Sequence, residues 1–520
     1  MGACAILWVM LLGAALASAG PQGPVAPYES PDPVAPRGRI DELVLGRLAR
    51  QGAEPARLCS DAVFVRRAYL DAIGTLPTAE EARTFIADRD PAKRTRLVER
   101  LLQREEFADY WAMKWCDLLR VKSEFPINLW PNAVQAYHHW IRSCLRDNLS
   151  YDRFVREMLT ASGSNFRVPQ VNFYRALASR EPQAVARAVA LTFMGTRAEK
   201  WPADRLSGMA RFFSQIGYKS TGEWKEEIVY FDPDKGAGGG APVFPDGKPA
   251  RLAPDQDPRA VFADWLVRAD NPWFARSIVN RVWYWLLGRG IVHEPDDLRP
   301  DNPPSDPELL AYLERELVAA RYDLKHIYRL VLNSAIYQLS SFGRAGSDAA
   351  FARYPLRRLE AEVLIDALCR ITGTAEVYSS SIPEPFTFVP QGLRAIALAD
   401  GSITSTFLET FGRPPRDTGL ESERNNNPTA AQRLHLLNSS HIQLKLQQSP
   451  NLRSLVQGRA GADPRAAVEE LYLAILSRFP TDEELRIVRE YVLSFAGNRW
   501  GALVDVAWAL INSAEFVYRH

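Results

Sequence analysis

From Ile40 to Phe213 apolar residues recur three or four positions apart, the spacing that lines one face of an α-helix. Val134, Tyr137, Ile141, Cys144 and Leu145 make one such face, and Leu324, Ile327, Val331 and Ala335 make another in the second half of the chain. The punctuation agrees with the period. Pro77 stops one helix, and Thr78 followed by Glu81 predicts a capping box that starts the next. Ser305 followed by Glu308 predicts a further capping box. The pattern therefore predicts a mainly α protein built from helix, tight turn and helix.

Two stretches interrupt the period. Gly20 to Pro36 is rich in Pro and Gly and reads as a flexible linker. Residues 233–258 gather Gly, Pro and Asp, and their flanks, Ile228–Phe231 and Pro242–Leu252, predict a small β-hairpin at a domain junction. The GAGGG within this stretch has no following Gly-Lys-Ser/Thr, so it reads as linker and not as a phosphate loop. These breaks divide the chain into a leader (1–19), a linker (20–36), a first helical domain (37–232), the Gly/Pro-rich linker (233–258) and a second helical domain (259–520). An internal echo spans the two domains. YLDAIGTLPTAEEA (Tyr69–Ala82) and YLAILSRFPTDEEL (Tyr472–Leu485) share Tyr-Leu, Pro-Thr and paired Glu at the same intervals. Both place a Thr at a helix N-cap with a Glu three residues on, which reads as a duplicated structural corner.

Composition narrows the compartment and the partners. At 520 residues the chain is long enough for two buried cores, and its net charge of +1 provides no field to collect nucleic acid or anionic lipid. The first nineteen residues are apolar and end in Ala17-Ser18-Ala19, which predicts a signal peptide cleaved after Ala19 and an exported protein without a transmembrane helix in the mature chain. Cleavage leaves Cys59, Cys116, Cys144 and Cys369. A disulfide, with Cys116 and Cys144 the first pairing to consider, and buried free thiols both remain open.

Two long segments carry a family resemblance: RRAYLDAIGTLPTAEEARTF (Arg66–Phe85) and ADWLVRADNPWFARSIVNRVWYWLLGRGIVHEPDD (Ala263–Asp297). They resemble the signatures of a planctomycete-type exported family, a cytochrome-C-like PSCyt-two domain followed by a PSD-one domain. The resemblance implies export and a neighbourhood of exported sulfatase-like proteins. It would also imply haem in cytochrome-like members, through a C-x-x-C-H motif. Here the corresponding stretch reads LTFMGTRAEKWPADRLSGMARFF (Leu191–Phe213), without that motif, and no two cysteines of the chain have its spacing. Covalent haem needs both thiols and the His, so neither c-type haem nor any other cofactor is expected.

Other chemistry leaves few marks. His138 and His139 are adjacent on a helix and diverge by about 100°, so they do not share one ion. No H-e-x-x-H or G-x-S-x-G pattern is present, and no metal site is expected. His293, His326, His435 and His441 read as structural histidines unless the fold gathers them. Glu226-Glu227 and Asp296-Asp297 read as solvated charge, and the tryptophans Trp111, Trp115, Trp265, Trp273, Trp283 and Trp285 read as core before sugar-stacking platforms.

The densest polar constellation is Phe407–Ile442. Arg413, Arg416, Glu421, Glu423, Arg424, Asn425, Asn426 and Asn427 fall in a loop, and His435 lies on a helix predicted to start after Pro428. So many polar groups become ordered only by satisfying one another or a guest. They form either an anion- or glycan-binding mouth or an ion-pair network that clamps the two domains. Three functions stay open: a binding or scaffold protein acting with a co-exported sulfatase-like partner or a polysaccharide; a hydrolase or lyase on extracellular polysaccharide; and a redox protein with a non-covalent cofactor. A segment consumed by ion pairs favours the first, and a pocket with two buried carboxylates the second.

Overall fold

The three-and-four spacing folds as helices in the computed structural model, which describes residues 25–235, 240–253, 255–342, 350–457, 463–495 and 498–520. The predicted leader and the first residues of its linker lie outside the described residues, as does most of GAGGG. The helix Pro131–Arg146 buries Val134, Tyr137, Ile141 and Cys144. The helix Leu324–Asn333 buries Leu324, Ile327 and Val331, but it stops just short of the stripe's end, leaving buried Ala335 beyond it. The fold is mainly α with two small sheets.

Two local expectations are corrected. The helix Pro307–Ala319 is capped not by Ser305 but by Asp306, whose carboxylate accepts the Leu309 amide at 3.0 Å. The Ser305 hydroxyl donates instead to the Ile291 carbonyl. The junction sheet also pairs differently. β1 (Gly163–Ser164), β2 (Ile216–Ser220) and β3 (Glu227–Phe231) form an antiparallel sheet in the order β1-β3-β2. Ile228–Phe231 is thus a strand, but its hairpin partner is the preceding Ile216–Ser220 and not the run that follows it. Pro242–Leu252 contributes one bridge, Val243 to Pro249, around a turn.

The echoed corner is a duplicated structure. Both copies have a complete capping box, Thr78 with Glu81 and Thr481 with Glu484. Both preceding helices end on a left-handed residue at the same place, Gly74 (φ 60°) and Ser477 (φ 59°). At Gly74 a Cβ would fall 2.4 Å from the Tyr110 ring, so only glycine fits. The copies meet where Ala79 and Ala82 pack on Leu473, and Arg83 reaches Glu470 at 2.5 Å.

One continuous cluster of buried apolar side chains runs from Ile40 to Phe516 and takes residues from both halves of the chain. The first signature segment holds these halves together. From the helix Asp61–Ile73, Arg66 donates to the carbonyls of Ile475 and Phe516, and Arg67 to those of Tyr337, Leu339 and His520. Asp71 accepts the hydroxyls of Tyr337 (2.9 Å) and Tyr354 (2.7 Å) and faces Arg519 at 3.2 Å. Arg519 lies in β5 (Tyr518–Arg519), which pairs with β4 (Arg357–Arg358). The second signature segment is equally structural. Asn280 exchanges hydrogen bonds with the Val292 backbone, and Arg281 donates to the Leu191 and Thr192 carbonyls and pairs with Asp296 at 2.7 Å. Among the described residues no helix is long and apolar enough to cross a membrane.

Candidate functional site

The polar segment 407–442 is folded inward. Gly412 (φ 82°) brings the chain back on itself, and a Cβ there would overlap the Asn425 carbonyl oxygen. Arg424 is thereby placed between two carboxylates from different helices. It donates to Asp117 at 2.6 Å and to Glu362 at 2.7 and 3.0 Å. Arg416 binds the other Asp117 oxygen at 2.9 Å and the carbonyls of Ala399 and Val121. Arg413 faces Glu362 at 3.4 Å and donates to the carbonyls of Asp400 and Ile403. Asp117 ends the helix Glu105–Leu118 of the first half, and Glu362 begins the helix Ala361–Thr372 of the second. Burial disfavours an ionised Glu362, but Arg424 outweighs it and holds the carboxyl down at about 2.

The remaining predicted residues extend this clamp unevenly. The Glu421 amide donates to Asp296 at 2.7 Å, joining the loop to the Arg281–Asp296 pair, and burial pushes the Glu421 carboxyl upward. Glu423 accepts the Asp417 amide, while Asp417 pairs with Lys122 at 2.7 Å. The backbone carbonyls of Asn425 and Asn426 accept from Arg358. Asn427 stays exposed and contributes its amide to the Asn425 side chain. His435 is not brought into the clamp. It lies on the helix Ala430–Asn438, capped as expected after Pro428, and meets His441 at 3.4 Å, with His441 on Glu376 at 2.8 Å.

Several other expectations meet their structure here. Glu226 and Glu227 are not freely solvated: Ser164 and Thr221 donate to Glu226, and Arg175 and Arg180 pair with Glu227. Asp296 is likewise buried and paired, against the reading of solvated charge. Cys116 and Cys144 are free, each thiol buried and pushed up to about 12, which corrects the disulfide option. His138 is buried and held neutral, its pKa driven down to about 3 by burial, while His139 points outward. Among the tryptophans named from the sequence, all but half-buried Trp273 are core. Among the described residues no three His, Cys, Asp or Glu side chains gather as a metal site.

A water-accessible cavity of about 250 Å³ opens beside the clamp, further along the helix Ala361–Thr372. Asp366, Cys369 and Arg370 of that helix line it with Glu376, Tyr378 and Arg394, and Thr75 of the first half closes one side. Asp366 accepts the amides of Ala395 (2.7 Å) and Ile396 (3.2 Å), yet burial still raises its carboxyl to about 6. Glu376 behaves oppositely: against the cost of burial, His441 and Lys445 hold it below its ordinary value. Sequence reasoning passed over this site. Its readable trace was Glu362, Asp366 and Arg370, polar at four-residue steps in an otherwise apolar helix.

Family comparison places both halves. A model of the PSCyt2 protein of unknown function (DUF1549) matches residues 39–203, and one of the PSD1 protein of unknown function (DUF1553) matches residues 258–492. The chain carries both domains, in that order. The clamp therefore joins Asp117 of PSCyt2 to Glu362 and Arg424 of PSD1. No curated protein and no solved structure matches the chain.

Proposed function

We propose that this PSCyt2–PSD1 chain is an exported binding protein that holds an extracellular polysaccharide on an aromatic surface, its two domains locked into one body by the clamp. The observation that carries this reading is a cluster of exposed rings where the domains meet. Trp130 of PSCyt2 contacts Trp224 at 6.5 Å and Phe386 of PSD1 at 5.4 Å, centroid to centroid. Trp224 is 66% exposed and Phe386 47%, and Lys225 lies over both indoles. Large rings left in water are costly unless something covers them, and aromatic faces with a neighbouring cation suit the C–H faces and hydroxyls of sugars. A panel of neutral and acidic polysaccharides tests the reading. Binding is expected, and Trp224→Ala should weaken it at least tenfold with the fold intact; binding that ignores Trp224 and Phe386 overturns it. Export is tested by the mature N-terminus, expected at Gly20.

The cavity favours a second reading, a hydrolase or lyase. Asp366 and Glu376 line one space with their pKa values pushed apart, the relation that separates an acid from a base. Both carboxylates are already engaged by protein donors, which weighs toward binding. Product formed from the same panel, and abolished by Asp366→Asn, would reverse that order.

A further inference from the structure

Among the described residues the guanidinium groups that tie the fold together are extensively bonded, even where one nitrogen stays unmatched, as in Arg66, Arg67, Arg281 and Arg416. Arg66, Arg67, Arg281, Arg358, Arg416, Arg424 and Arg478 each donate several hydrogen bonds to carbonyls or carboxylates. Two that line the cavity do not. Arg370 donates one side-chain hydrogen bond, to the Thr75 hydroxyl at 3.1 Å. Arg394 makes none among the described residues, and its only ion pair, with Asp366, is a loose 3.5 Å. Its Nη2 is buried without a hydrogen-bond partner, and so is the hydroxyl of Tyr378 on the same wall. Guanidinium groups present fixed forks of donors that match planar oxyanions, and leaving such donors buried and unmatched is costly.

We propose that this cavity is a binding site for a small oxyanion, gripped by Arg370 and Arg394 with Tyr378 as a third donor. Charge around the space is consistent. Lys445 (2.6 Å) and His441 (2.8 Å) occupy Glu376, and two backbone amides occupy Asp366. Glu81, 3.8 Å from Arg370, is already engaged by the Thr78 amide and by Arg104. Arg370 and Arg394 equal Asp366 and Glu376 in number along the lining, and Lys445 on Glu376 offsets Glu81 beside Arg370, so unmatched donors rather than a net charge would hold the guest. A volume of about 250 Å³ is several times the roughly 30 Å³ that a water takes up, and just under the lower end of ligand pockets. It suits a single acidic sugar or a short organic acid, not a chain. The cavity shares no lining residue with the Trp130, Trp224 and Phe386 cluster, so the Trp224 and Arg394 variants test the two readings separately.

The test is calorimetric titration of the full mature chain with sodium glucuronate, acetate and sulfate, the inorganic ion separating a free anion from an acid carried on a sugar. One-to-one saturable binding of at least one probe is expected. Arg394→Ala and Arg370→Ala should each weaken it at least tenfold, with melting temperatures within a few degrees of the parent. Trp224→Ala and the exposed control Arg489→Ala should leave it unchanged. Arg394→Lys, which keeps the charge and loses the fork, should recover only part of the affinity. The proposal is overturned if none of the three probes binds, or if binding survives both alanine substitutions. Should Arg370→Ala unfold the chain, the Arg394 variants alone decide it.

Discussion

The clamp and the cavity lie at successive turns of the same helix, Ala361–Thr372, and use the same side-chain chemistry to opposite ends. At the clamp, Arg424 finds two carboxylates and Arg416 finds Asp117 and two carbonyls, with both guanidiniums almost fully withdrawn from water. At the cavity, Arg370 and Arg394 remain about one-third exposed and hold one side-chain hydrogen bond between them. An ion pair sealed in the interior is sensitive to loss of either partner, because the survivor is left charged and dry. One bordering a water-filled space is less so. The density of charged residues in a sequence therefore does not locate a binding site; unmatched donors beside open volume do so better.

The comparison is broken most directly by removing one arginine from each site. Arg424→Ala is expected to destabilise the fold by about 2 to 5 kcal/mol, since Asp117 and Glu362 lose their shared partner, as read by denaturant unfolding. Arg394→Ala should cost under about 1 kcal/mol by the same measurement, within the range of substitutions that break no buried network. Equal losses would erase the distinction.

The two carboxylates of the helix should also respond to pH with opposite signs. Glu362 is depressed to about 2, so the stability it contributes is full above its ordinary value and is lost as pH falls through 2. Glu362→Gln should therefore destabilise most at neutral pH and lose its effect in acid. Asp366 is raised to about 6, so its favourable, protonated contribution is full below its ordinary value of 3.8 and is lost as pH rises through 6. Asp366→Asn is accordingly expected to gain about 1 to 3 kcal/mol at pH 8 relative to pH 3.5. Stability curves that run parallel for both variants would sink this assignment.

The duplicated corner gives a smaller test. Thr78→Ala and Thr481→Ala should each cost about 1 kcal/mol, the usual worth of a helix N-cap, and similar losses would mark the two corners as equivalent. Smallest of all, Trp224→Ala should change stability by less than about 0.5 kcal/mol, because its ring is mostly in water already.

The helical class, the two corners and the helix after Pro428 were legible because they depend on local spacing and on caps that bond within three or four residues. The misread cap at Ser305 shows the limit of this: Asp306 sits one position on, and only the path of the backbone decides which side chain faces the free amides. The strand partner of Ile228–Phe231 was missed for a related reason, since either flanking run can supply a β-hairpin and pairing is settled by how each packs.

By itself, then, the sequence determined the helical architecture, the two-domain order and the concentration of polar groups at 407–442, all of which follow from near neighbours. Only the tertiary structure decided what those groups are for. Asp117 stands 307 positions from Arg424, and Glu362 stands 62. Whether a charge meets an opposite charge, a carbonyl or water depends on which distant helices close around it. The same closure left Arg370, Arg394 and Tyr378 beside open space and exposed the Trp130–Trp224 rings. No spacing along the chain encodes these outcomes, because burial and partner choice are set by packing across the core.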